Sequence, residues 1–254
     1  MFYNETEQKQ VDTLVKALQK DNYDRIVSTM KAKNALPNFW VLFTGPAGTG
    51  KTASCYQIAK RTNRYIYFID LEKIHSKWVG ESSKNVVALF NEIKEINKFL
   101  DDDCIAVFNE CDSVISKRVA VTTSTDQSMN GTINNFLQEF EQFSGIAFLT
   151  TNLASNFDTS FMRRILMKFL INAPEPAVRK RILTKVFDDI TPETIDKINS
   201  QYTLTGGLIS NISKKLLVKT LLDDTINKDE YIMELCEEEF VLSKSDRKPI
   251  GFIQ

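Results

Sequence analysis

The eight residues GPAGTGKT at positions 45–52 follow the apolar run FWVLFT (39–44) and lead into TASCYQIAK. No other stretch restricts the fold as narrowly. The spacing is G-x4-GK[ST], placed where a strand gives way to a helix, which is the setting of a phosphate-binding loop. Gly45, Pro46, Ala47, Gly48, Thr49 and Gly50 form the turn, and its glycines let backbone N–H groups and the helix N-terminus point at phosphate oxygens. In such a loop Lys51 meets the β- and γ-phosphates and Thr52 offers its hydroxyl to Mg²⁺. The competing reading is a glycine-rich turn with a chance GKT, which the strand–loop–helix setting disfavours.

The rest of the chain supplies the fold such a loop requires. Short apolar runs alternate with helical patterns: FWVLFT, a helix over 50–61, YIYFI (65–69), a helix over 81–99, CIAVF (104–108), a helix over 128–142, IAFLTT (146–151) and LMKFLI (166–171). Such alternation predicts βαβ units, with a parallel sheet covered by helices on both faces. Two polar-faced helices are expected over residues 7–34, ahead of Pro37, and the polar stretch 121–130 is expected to be a surface loop. After Ala173-Pro174-Glu175-Pro176 only helical patterns follow. Three regions are therefore expected: an N-terminal helical segment (1–34), an α/β nucleotide-binding domain (35–173) and a C-terminal helical piece (174–254).

Composition narrows the partners. Lys plus Arg number 32 against 33 for Asp plus Glu, so no overall basic field draws a polyanion, and nucleic acid is not expected as a ligand. No apolar run approaches the roughly 18 residues of a membrane span, and MFYNETEQKQ lacks the layout of a signal peptide, so a cytoplasmic protein is expected. Cys55, Cys104, Cys111 and Cys236 lack CxxC spacing and read as buried thiols. The single histidine, His75, excludes a HExxH metalloprotease.

A phosphate loop needs a second strand to bring a metal-directed acid and a water-polarising group beside the γ-phosphate. CIAVFNECDSV (104–114) has the form of that strand, with Glu110 at the polarising position. Read alone, Glu110 could equally be a solvated charge at a strand end. Its neighbour is an amide, Asn109, whose oxygen can face a metal or a metal-bound water but brings no charge. Asp112 lies close enough in sequence to compensate, in a direction the sequence does not give.

With these motifs in order, residues 35–254 resemble the AAA+ ATPases, most closely a stand-alone bacterial type near the protein-remodelling branch. HSKWVGESSKNVVALF (75–90) resembles the pore-loop segment of hexameric remodellers; the resemblance implies that Trp78 and Val79 grip a polypeptide and Gly80 allows the turn. The alternative is a Trp78 packed into the core. IAFLTTN (146–152) is similar to the sensor-1 strand, so Asn152 would orient water, or else would only open the turn NLASN. NFDTSFMRR (156–164) resembles the segment that presents arginine fingers to a neighbouring subunit, with Arg164 first and Arg163 second; otherwise the pair solvates a helix end. YTLTGGLISNISKK (202–215) is similar to the lid helix, with Gly206-Gly207 where some relatives place an arginine. Glycine there would let backbone lie close to the base, or would only start the helix.

The resemblance implies an α/β P-loop NTPase core with a parallel sheet flanked by helices, followed by a small all-helical lid domain. It further implies ATP and Mg²⁺ as ligands, a homo-oligomeric ring such as a hexamer, and a polypeptide substrate. Asn109 keeps a second function open, an ATP-dependent switch or scaffold with little hydrolysis.

Overall fold

The computed structural model describes residues 1–71, 82–113, 124–153, 157 and 159–245. Trp78, Val79 and Gly80 lie outside these described residues. In chain order the elements are α1 (Glu5–Leu18), α2 (Lys20–Ala32), β1 (Asn38–Thr44), α3 (Lys51–Thr62), β2 (Ile66–Asp70), α4 (Ser82–Leu100) and β3 (Ile105–Asn109). A 3₁₀ turn (Cys111–Ser113), α5 (Ser124–Gln142), β4 (Gly145–Thr151), the single-turn α6 (Thr159–Met162) and β5 (Met167–Leu170) complete the α/β part. Four helices follow: α7 (Pro176–Val186), α8 (Pro192–Gln201), α9 (Gly206–Leu222) and α10 (Lys228–Ser245).

One expectation is corrected: α5 begins at Ser124, so residues 124–130 are helical rather than loop. Met129 stands four residues before Ile133 and seven before Phe136, which carries the helical apolar period upstream, and Ser, Thr and Asp are favoured at a helix start.

Contacts divide the chain into two units, one comprising Met1, Lys9–Gly45 and Lys51–Ile171, the other Phe2–Gln8, Pro46–Gly50 and Asn172–Gln254. In the first, five parallel strands lie in the order β2-β3-β4-β1-β5. A parallel sheet covered on both faces needs apolar residues at successive positions, and Phe39 to Phe43 are all buried accordingly. Alternate side chains point to opposite faces. Trp40, Leu42, Ala106, Phe108, Ala147 and Leu149 therefore meet α4 and α5 on one face, while Phe43 packs against Phe148 and Phe169 on the other.

The core of this unit is aromatic. Phe140 lies 4.2 Å from Trp40, 5.5 Å from Phe108 and 5.7 Å from Phe136, centroid to centroid. Each such ring contributes about 1.5–3 kcal/mol by burial, and tilted or edge-on contacts add to that. Ahead of β1, α2 is fastened by a polar cluster: Tyr23 donates its hydroxyl to Asp103 at 2.6 Å, and Arg64 bonds Asp102 and the Asp103 carbonyl, both at 2.7 Å.

The second unit is helical around Leu183, Phe187, Ile195, Ile198, Ile209, Ile212, Ile232 and Leu235. Thr191 and Thr205 cap α8 and α9 with their hydroxyls. The start of the chain belongs here: Glu7 accepts the Asn172 N–H at 2.9 Å and Asn4 Oδ1 accepts that of Glu175 at 2.8 Å. Among the described residues no helix is long and apolar enough to cross a membrane, and all four cysteines are buried thiols, as expected.

Candidate functional site

Strands β3, β4 and β1 are consecutive neighbours, so their carboxyl ends form one continuous edge, where open α/β sheets bind ligands. β1 leads into Gly45, β3 ends at Asn109-Glu110 and β4 ends at Thr150-Thr151-Asn152. The register fixes who meets whom. Phe108 pairs with Leu149, so the next residues out, Asn109 and Thr150, are neighbours.

The first turn of α3 supplies Lys51 and Thr52. Lys51 donates from Nζ to the Gly45 carbonyl at 2.9 Å and to Asn152 Oδ1 at 2.6 Å. Burial lowers its pKa from the ordinary lysine value, and the nearby Asp112 and Glu110 carboxylates oppose that shift. Thr52 donates its hydroxyl to Asn109 Oδ1 at 2.9 Å, and Thr150 donates to the same oxygen at 2.9 Å. The amide oxygen therefore stands against the Thr52 hydroxyl and brings no charge there.

Glu110 leaves the strand with φ +56°, a left-handed conformation uncommon for a residue with a side chain. Its N–H donates to the Thr150 hydroxyl at 3.2 Å, and its side chain is exposed. Asp112 takes a different direction from the metal-side compensation that its position in sequence left open. Its carboxylate accepts from the Thr151 hydroxyl and, at 3.1 Å, from the Asn152 N–H, so it holds the end of β4 in place. Neither Thr150 nor Asp112 was singled out for this in the sequence; the hydroxyl pair just before Asn152 in IAFLTTN was the available signal.

Gly45 shows why this turn needs glycine: at φ +143° a Cβ would lie 2.1 Å from the Ile171 carbonyl oxygen. Within the second unit, Pro46–Gly50 lies against the start of α9. Gly207 donates its N–H to the Gly48 carbonyl at 2.8 Å, and a Cβ on Gly207 would lie 2.9 Å from Gly48 Cα. Gly206 has more room, its nearest contact being the Gly48 carbonyl oxygen at 3.5 Å. The glycine pair thus brings backbone close to the phosphate loop itself.

Arg163 and Arg164 follow α6 directly and are exposed. Arg164 forms an ion pair with Glu141 at 3.0 Å, a surface contact of the kind that is worth little and is readily exchanged. Phe157 and Phe161 anchor the segment in the core.

The donor set suits a polyphosphate with a hard divalent cation. Thr52 and Asn109 present neutral oxygens and Glu110 is a carboxylate, the oxygen ligation that Mg²⁺ prefers, while Lys51 supplies the cation for a phosphate. Among the described residues no group of three or more His, Cys, Asp and Glu side chains is arranged to hold a metal ion.

Comparison with known proteins identifies the family. Residues 41–173 match the model of the ATPase family associated with various cellular activities. Over 94% of its length the chain is 27% identical to cell division protein C of Sulfolobus acidocaldarius, spanning 70% of that protein. It is 28% identical over 75% of its length to the pachytene checkpoint protein 2 homolog of Homo sapiens, covering 48% of it, so it spans only about half of that relative. The crystal structure of the FIGL-1 AAA domain in complex with ADP superposes with a TM-score of 0.65 at 20% identity, over 98% of this chain and 84% of that one, and supports the fold. The family match covers just over half of the chain and includes the phosphate loop, the Asn109-Glu110 strand end and Asn152. The chain belongs to the AAA family of ATPases.

Proposed function

We propose that this protein binds ATP–Mg²⁺ and hydrolyses it to remodel or translocate a polypeptide, acting as a homo-oligomeric ring. The observation that carries the reading is the convergence of Lys51, Thr52, Asn109 and Asn152 at one sheet edge through hydrogen bonds of 2.6–2.9 Å, with Glu110 next in sequence. Gly45, Ala47, Gly48, Thr49 and Gly50 offer backbone N–H groups to phosphate oxygens, Pro46, which has none, shapes the turn, and Lys51 exchanges its neutral acceptors for the phosphate. Thr52 and Asn109 face the metal, which when bound neutralises charge on the phosphates. Glu110 accepts a proton from the attacking water, and Asn152 orients that water. Arg164 or Arg163 reaches the γ-phosphate of a neighbouring subunit and makes turnover depend on assembly. Residues 35–173 bind the nucleotide, and residues 174–254, with Gly206 and Gly207, respond to its presence. Trp78, Val79 and Gly80 grip the substrate; this assignment rests on the sequence alone.

A second reading has its own observation. Asn109 brings no charge to the metal side, which favours a nucleotide-dependent switch with slow turnover. Steady-state ATP turnover of the wild type, Asn109→Asp and Glu110→Gln, with oligomer mass measured in parallel, separates the two. Hydrolysis by the assembled wild type that Glu110→Gln abolishes supports the motor; an assembled wild type as inactive as Glu110→Gln refutes it.

A further inference from the structure

We propose that Thr150 is a positioning residue that locks the Asn109 amide with its oxygen, and not its NH₂, toward Thr52 and the metal. The proposal rests on the ATP–Mg²⁺ reading of the site. It follows from an inventory of protons. A threonine hydroxyl has one proton to donate and lone pairs to accept with. The Glu110 N–H occupies a lone pair of Thr150 at 3.2 Å, so the single Thr150 proton is free for Asn109, 2.9 Å away. With the amide oxygen toward it, Thr150 uses both its proton and a lone pair; with the NH₂ toward it, that proton would lose Asn109 as its acceptor, which favours the oxygen. The same oxygen then accepts the Thr52 proton at 2.9 Å, which leaves the Thr52 lone pairs open to a cation.

Turned over, Asn109 would present N–H donors to both hydroxyls. It would occupy a Thr52 lone pair and set a partial positive charge beside Mg²⁺. The sheet register holds Thr150 in place for this role, since β3 and β4 pair through Phe108 and Leu149 and Thr150 is itself buried. A carboxylate has two equivalent oxygens and cannot be turned the wrong way. Thr150 therefore matters because position 109 is an amide, and its importance should vanish when that residue is an acid.

The test is a magnesium titration of fluorescent ADP binding by the full chain, together with ADP affinity in EDTA. Thr150→Val should raise the half-saturating Mg²⁺ concentration about fivefold to tenfold, the worth of about one hydrogen bond, with the EDTA affinity within about twofold of wild type. Thr150→Ser, which keeps the hydroxyl, should restore the wild-type curve. In the Asn109→Asp background Thr150→Val should shift the curve less than about twofold, because no amide remains to be turned. Should Thr150→Val fail to fold, Thr150→Ala carries the same comparison. An equal shift in both backgrounds, or none in the Asn109 background, overturns the proposal while leaving the nucleotide site standing. A wild type that binds no ADP in a magnesium-dependent way overturns both.

Discussion

Gly206 and Gly207 sit side by side at the start of α9, yet alanine should act oppositely at the two positions. Neither has a left-handed φ, so alanine is conformationally acceptable at both and gains about 0.5–1 kcal/mol over glycine in a helix. Space separates them. A Cβ at 206 meets only the Gly48 carbonyl oxygen at 3.5 Å, an ordinary contact. At 207 it meets Gly48 Cα at 2.9 Å, and carbon atoms prefer about 3.5–4.0 Å, so the two backbones must part by about 0.6–1 Å. That movement stretches the 2.8 Å bond from Gly207 N–H to Gly48 beyond useful length, losing about 1 kcal/mol. Overpacking costs about 1–3 kcal/mol in comparable cases, so after the helix gain Gly207→Ala should destabilise by about 1–2 kcal/mol. Gly206→Ala should be neutral or stabilise by about 0.5 kcal/mol. Thermal unfolding of the two variants measures the difference. On the proposed reading, in which the displaced loop turns its N–H groups to the phosphates, ADP affinity should fall about tenfold for Gly207→Ala only, equivalent to about 1.4 kcal/mol. A Gly207→Ala protein as stable as Gly206→Ala refutes the reasoning.

Two further outcomes are expected. Tyr23→Phe removes the 2.6 Å donor to half-buried, charged Asp103 and should cost about 1–2 kcal/mol in urea unfolding; a loss below about 0.5 kcal/mol would show that the cluster does not fasten α2. Burial pushes the Cys104 thiol up to about 11 from an ordinary value of 9.0, so the unfolded chain ionises first as pH rises. The contribution of Cys104 to stability is then intact below about pH 9 and lost on the way to about pH 11, and Cys104→Ala should flatten the stability–pH curve in that window.

Particular residues show how much of this was written in the sequence. The strand–GPAGTGKT–helix order announced the α/β fold because a local pattern carries it, and the apolar runs located all five strands to within a residue or two at each end. The pairing of Lys51 with Asn152 across 101 residues could be expected only from the motif order. Thr150 stayed hidden because its role depends on strand order and register, which place β4 between β1 and β3 and set residue 150 beside residue 109. The direction of Asp112 was hidden for a similar reason. It is set by the 3₁₀ turn after Glu110, and a turn's exit angle leaves no periodic signature.

The four native cysteines make the chain convenient for labelling. All are buried, and the thiols of Cys55, Cys104, Cys111 and Cys236 are each pushed above the ordinary range, so almost no thiolate exists at neutral pH for a maleimide to find. Cysteines introduced at Phe99, 88% exposed in the first unit, and at Leu221, 76% exposed in the second, should therefore react far ahead of the native four. A donor–acceptor dye pair at those positions would follow the distance between the two units through a nucleotide cycle without first removing any native cysteine.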